Sequence, residues 1–180
     1  MTFDLMFVAV VALFVLGCLF HLRFNRSWSG PRHKLPAELR RAKLAYAEQL
    51  FRSVGTVSIT AKVDRVYRNA AGELVLLELK TRRTPRAYPS DVIELSAQRV
   101  VVMAQTGEIV ASHAYVIVES PDGRRLACNR VALMSEEEVT ALALRRQSLL
   151  ARGGEPRYAS SPRLCKTCSF LTECNPSEGK

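Results

Sequence analysis

The segment Ala61–Lys80, AKVDRVYRNAAGELVLLELK, constrains the fold more than any other part of the chain. Val57–Tyr67 is rich in β-branched residues, Asn69-Ala70-Ala71-Gly72 carries turn chemistry, and Glu73–Lys80 is a second apolar run. The segment therefore predicts a β-hairpin. Leu74, Val75, Leu76, Leu77 and Leu79 are nearly continuous, the pattern of a strand covered on both faces. Folding the two runs together brings Asp64 near Glu78, and Glu78 and Lys80, two apart on one strand, share a face. A surface hairpin with an ordinary salt bridge could carry the same charges. The apolar run argues instead for burial, and buried charges must be paired or hold a metal ion.

The sequence of expected elements follows from the rest of the chain. Pro36 opens an expected helix running through Arg52, with Leu39, Ala42, Leu44, Ala45, Leu50 and Phe51 on one face and Gly55 as its stop. After the hairpin, Asp91–Gln105 reads as a helix, and Val110–Val118 and Arg124–Leu133 as strands joined at Gly123. Ser135-Glu136-Glu137-Glu138 has the form of a capping box, starting a helix that runs to about Arg152 before Gly153-Gly154. No internal repeat is visible. Helix, hairpin, helix, strands and helix together predict an α/β fold, a mixed central sheet flanked by helices.

The spacing of Asp64 followed by Glu78-Leu79-Lys80 resembles the signature of the PD-(D/E)XK nucleases, and more narrowly the RecB-like CRISPR-associated exonucleases. The resemblance spans roughly Pro36–Cys174 and implies a restriction-endonuclease-like sheet. In that family the Asp and Glu hold Mg²⁺ or Mn²⁺, the carbonyl of the middle residue assists, and the Lys positions the attacking water. Hard cations prefer oxygen ligands and lower the pKa of bound water, so the residue types suit the chemistry. The resemblance gives further roles to Gln98, as a support of the site, and to Glu48 and His33, as additional metal ligands. A solvated helix residue is the bland reading of Glu48, and a solvated linker residue that of His33. Where the family commonly places a Tyr four residues after the Gln, this chain has Val102.

Arg82, Arg83 and Arg86 lie in the Pro-containing loop Thr81–Pro89, beside the expected metal, where they would clamp phosphates or simply face solvent. Near the C-terminus, Cys165-Lys-Thr-Cys168 and Cys174 have the spacing of metal ligands rather than of disulfides in a reducing compartment. The same spacing occurs in RecB-like nucleases that carry a 4Fe-4S cluster. A fourth ligand would have to come from Cys18, Cys128 or His33; the expectation is a 4Fe-4S cluster, with a Zn²⁺ site or a degenerate cluster as the alternatives.

Phe3–Leu22 is almost wholly apolar, about the length needed to cross a bilayer, with no basic segment before it. Arg23, Arg26, Arg32 and Lys34 follow it, which orients a single-pass anchor in the inner membrane with the remainder on the cytoplasmic side. The expected organisation is a transmembrane anchor at 1–24, a basic linker at 25–35, and a nuclease-like domain at 36–180 with its cysteines within 160–180. Residues 1–20 contain no Lys or Arg and one acid, Asp4, so the rest of the chain carries a formal charge of 26 − 16 = +10, against +9 for the whole. Such a charge suits nucleic acid or anionic headgroups. The expectation is a membrane-anchored, metal-dependent DNA nuclease acting on single-stranded ends. The alternative is an inactive membrane-tethered nucleic-acid-binding or scaffold module on the same fold.

Overall fold

A computed structural model describes residues 35–151, 154, 157, 159, 161–166, 168–171 and 174. The expected anchor at 3–22, Cys18, His33 and the linker up to residue 34 lie outside the described residues. Among the described residues no helix is long and apolar enough to cross a membrane.

Five strands form one sheet in the order β1-β2-β3-β4-β5. They are β1 (Lys43–Ser53), β2 (Ile59–Arg68), β3 (Leu74–Thr81), β4 (Val110–Glu119) and β5 (Arg125–Ala132). The first three form an antiparallel meander. Helix α1 (Pro89–Thr106) then carries the chain across one face, so that β4 pairs parallel to β3, and β5 returns antiparallel to β4. Helix α2 (Glu136–Leu150) follows, and a short α3 covers Pro162–Cys165. The mixed sheet flanked by helices is the architecture the sequence predicts.

The β2–β3 turn forms for the expected reason. Asn69 Oδ1 accepts from the N–H groups of Ala71 and Glu73, both at 3.0 Å, and Gly72 takes a φ of 86° that side chains disfavour. Ser135 and Glu138 cap α2 reciprocally, at 3.2 Å and 2.8 Å. At the start of α1, Pro89 needs no amide partner and Asp91 Oδ2 accepts the Tyr88 N–H at 2.7 Å.

Two apolar layers divide the residues of β3 by parity. Leu74 and Leu76 point toward α1 and pack with Val63, Val66, Val116, Leu95, Val101 and Val102. Val75 and Leu77 point the other way and pack with Tyr67, Tyr115, Ile117 and Leu39. Leu39 belongs to a single 3-10 turn, Ala37–Leu39, which is pinned by its neighbour Glu38: the Tyr115 hydroxyl donates to that carboxylate at 2.7 Å and His113 Nε2 lies 3.0 Å from it.

The helix expected from Pro36 to Arg52 is not present. Its residues form the 3-10 turn and the long strand β1, which pairs with β2 from Lys43↔Arg68 to Ser53↔Ile59. Leu44 and Leu50, counted as part of a helical core face, are exposed, whereas Phe51 is buried beside the ring of Tyr46. Ala, Leu, Glu and Gln give this segment good local helix propensity. Pairing with β2, whose Ile59, Ala61 and Val63 need a neighbour to extend the layer beneath α1, outweighs it.

Candidate metal and phosphodiester site

The antiparallel ladder between β2 and β3 ends at Arg65↔Leu77. Beyond that pair β3 continues alongside β4 alone, through Glu78↔Val116 and Lys80↔Val118. The two strands part where the charged residues begin. The Leu79 N–H, left without a ladder partner on β2, donates to Asp64 Oδ2 at 3.0 Å. Asp64 thereby replaces a backbone acceptor at the fork, and an otherwise orphaned donor is satisfied.

Glu78 is 3% exposed. Its Oε1 lies 2.8 Å from Lys80 Nζ, and its Oε2 accepts from Gln98 Nε2 at 3.1 Å. Gln98, itself 1% exposed on α1, also donates from Nε2 to the Lys62 carbonyl at 3.1 Å. One amide therefore ties the helix to both diverging strands. Lys80 Nζ makes a second ion pair, 2.7 Å from Glu94 Oε2 on α1. Asp64, Glu78, Lys80 and Gln98, expected from the sequence to share a site, are brought together.

Burial pushes the Glu78 carboxyl up to about 7; the Lys80 ammonium and the Gln98 amide oppose this, while the negative charges of Asp64 and Glu94 add to it. Burial on its own would lower the Lys80 pKa, but Glu78 and Glu94 hold it above the ordinary lysine range. The fork of the two strands thus holds a carboxyl whose charge is in tension near neutral pH. A hard divalent cation would relieve that tension, and the Asp64 and Glu78 carboxylates are oxygen donors of the type such a cation takes.

Glu48 lies on a strand rather than a helix. Its neighbours Ala47 and Gln49 pair with Arg65 and Val63, so it stands across β1–β2 from Asp64. Its φ of 52° makes it the sole non-glycine residue in the left-handed region among the described residues. The side chain forms an ion pair with Lys62. No group of three or more His, Cys, Asp or Glu side chains among the described residues is placed to hold a metal ion. Glu48 is therefore adjacent to the carboxylate pair without completing a ligand set.

The same holds for the cysteines. Cys165, Cys168 and Cys174 are free thiols on successive turns, with the Cys168 N–H donating to the Cys165 carbonyl at 3.1 Å and the Cys174 N–H to the Phe170 carbonyl at 3.0 Å. They are not gathered as a metal-binding group, and Cys128 lies apart on β5 against the far apolar layer.

The three arginines of the basic loop separate into two kinds. Arg82 Nη2 donates to the buried Asp91 at 2.5 Å, its guanidinium lies 4.5 Å from the centroid of the Tyr88 ring, and its Nε is buried without a partner. Arg82 thus fixes the loop to α1. Arg83 and Arg86 are exposed, and Arg86 lies over the Tyr88 ring at 4.8 Å.

Two participants were missed in the sequence. Glu94 precedes Gln98 by four residues, so one helical face presents both side chains to Glu78 and Lys80, a spacing visible once the helix is drawn. Asp91, the buried partner of Arg82, gave no comparable signal.

A mixed sheet with an acidic pair and a lysine at the fork of two strands is the architecture of a metal-dependent nuclease fold. The chain belongs to the PD-(D/E)XK nuclease superfamily, whose family model matches residues 12–175, and whose members are generally metal-dependent nucleases. A solved structure described as "Crystal structure of SSO0001" has a TM-score of 0.48 and 21% identity, covering 91% of this chain and 70% of that one. No curated protein matches the chain.

Proposed function

We propose that this protein is a divalent-metal-dependent deoxyribonuclease that acts on single-stranded DNA ends, of the RecB-like type, tethered to the inner membrane by residues 3–22. The observation that carries the reading is the meeting of Asp64, Glu78, Lys80 and Gln98 where β2 and β3 part, in a chain of this superfamily.

Asp64, Glu78 and the Leu79 carbonyl would hold Mg²⁺ or Mn²⁺, which when bound polarises the phosphate and acidifies a water. The Lys80 ammonium has three N–H donors; Glu78 and Glu94 take two, and the third orients the attacking water. Gln98 fixes the Glu78 carboxylate by hydrogen-bonding its Oε2 and ties it, through the same amide, to the Lys62 carbonyl of β2. Arg83 and Arg86, exposed on the adjoining loop, neutralise the DNA backbone. The cysteines take no part in the reaction in this reading. The apolar run and the basic residues after it support the tether, and the basic charge supports an anionic polymer as substrate.

The test is cleavage of single- and double-stranded DNA by the full 180-residue chain in detergent, with Mg²⁺ or Mn²⁺. Degradation by the wild type, abolished by Glu78→Ala in a protein of unchanged fold, is the expected result. Salt-sensitive DNA binding that survives Glu78→Ala, with no cleavage by the folded wild type, would replace this reading with a tethered binding module.

A further inference from the structure

We propose that Glu94 is a positioning residue for the hydrolytic site, one that holds the Lys80 ammonium in place from the helix side. This inference rests on the nuclease reading and extends it to a residue outside the strand motif.

Lys80 stands at the end of β3, with two carboxylates on its Nζ. Glu78 Oε1 lies at 2.8 Å and Glu94 Oε2 at 2.7 Å. Glu78 alone would be a poor anchor. It is two residues away on the same strand, its carboxylate is shared with Gln98, and as an expected metal ligand it has other demands on its oxygens. A flexible four-carbon side chain held at one point sweeps through many positions, and a reacting group needs a defined one. Glu94 supplies the second point from a different element.

The helix makes this second point rigid. Glu94 and Gln98 are one turn apart on α1, so the same face of the same helix fixes both side chains of Glu78-Leu79-Lys80. That face is anchored by Leu95, Val101 and Val102, which are completely buried against the sheet. The Glu94 carboxylate is 47% exposed and has no other hydrogen-bond partner among the described residues. An exposed ion pair of this kind stabilises a fold little, so its value lies in where it puts the ammonium. Glu94 touches Lys80 and acts through it.

Two measurements on the full chain test the proposal. In the first, Lys80 is acylated with acetic anhydride in metal-free protein and its modification rate is read by peptide mass spectrometry. Glu94→Ala should speed modification of Lys80 several-fold over the wild type, while Glu94→Gln, whose amide oxygen still accepts from Nζ, should fall between them. An unchanged Lys80 rate in Glu94→Ala overturns the proposal whatever the protein hydrolyses. In the second, DNA cleavage is compared at saturating Mn²⁺. Glu94→Ala should lower kcat at least about tenfold with little change in KM, and Glu94→Gln should recover part of the loss. A wild type that cleaves, with an unaltered kcat in Glu94→Ala, overturns the positioning role alone. A folded wild type that cleaves nothing overturns the nuclease reading and this role with it.

Discussion

Gln98 Nε2 hydrogen-bonds to Glu78 Oε2 and to the Lys62 carbonyl, each at 3.1 Å, and so spans the gap where β2 and β3 no longer pair. Replacing it by Leu, close in volume and unable to donate, leaves Glu78 Oε2 and a strand carbonyl without their donor. Each unsatisfied group costs about 1–3 kcal/mol, so Gln98→Leu should be destabilised by at least about 2 kcal/mol in urea unfolding. Because Gln98 opposes the upward push on Glu78, its loss should also move any Glu78-dependent ionisation to higher pH.

A second prediction concerns the buried carboxyl itself. With its pKa raised from the ordinary 4.5 to about 7, the folded protein binds a proton at Glu78 that the unfolded chain has already released. Stability from this group is therefore fully present below the unfolded value, falls as pH rises through that window, and levels off above about 7. Glu78→Gln, a neutral isostere that can still meet Gln98, should remove this slope. Above neutral pH, the metal-free variant should melt a few degrees higher than the wild type while cleaving nothing, the pattern of a site that trades stability for function.

Metal titration gives the complementary sign. A proton on Glu78 competes with a cation for the same oxygens, so Mn²⁺ should bind more tightly as pH rises through about 7. Calorimetry at pH values on either side of that point checks this. Equal affinity at both would remove Glu78 from the ligand set.

The arginines of the Thr81–Pro89 loop should not behave alike. Arg82→Ala strands the buried Asp91, and breaking a buried pair in this way costs about 3 kcal/mol, so this variant should unfold early. Arg83→Ala and Arg86→Ala should leave the melting temperature unchanged. They should instead weaken DNA binding and lower the salt dependence of log K by about 1 each. The sequence offered three equivalent basic residues; Asp91, whose burial could not be read there, is what distinguishes them.

What could be read in the sequence was local. The hairpin, its turn, the α2 cap and the meeting of Asp64 with Glu78 and Lys80 all follow from patterns within a few residues or from a single fold-back. Strand β1 could not be read this way. Its residues favour a helix by themselves, and only β2, placed by the hairpin, supplies the ladder that makes an extended edge the better choice. Val102 illustrates a second limit. Its departure from the family's tyrosine weakens the match in sequence, yet in the fold it is completely buried in the layer beneath α1, so a core residue stands four after Gln98. Glu94 was passed over because its significance depends on Lys80 lying across from it, a tertiary fact.

Glu48 carries the last prediction. It stands across from Asp64 with a left-handed backbone that glycine adopts freely and a glutamate does not. Strain of this size costs about 1 kcal/mol, equivalent to a melting shift of about 2–4 °C in a chain of this length. Glu48→Gly removes the strain together with the side chain that pairs with Lys62, an exposed ion pair that stabilises little. The variant should therefore melt as high as the wild type or slightly higher. Activity then decides why the strain is kept. If Mn²⁺-dependent cleavage falls while stability holds, the kink serves the site, by aiming Glu48 or by turning Asp64 toward Leu79. If cleavage is unchanged, the left-handed residue only lets β1 follow β2 past the fork, and Glu48 leaves the set of candidate ligands.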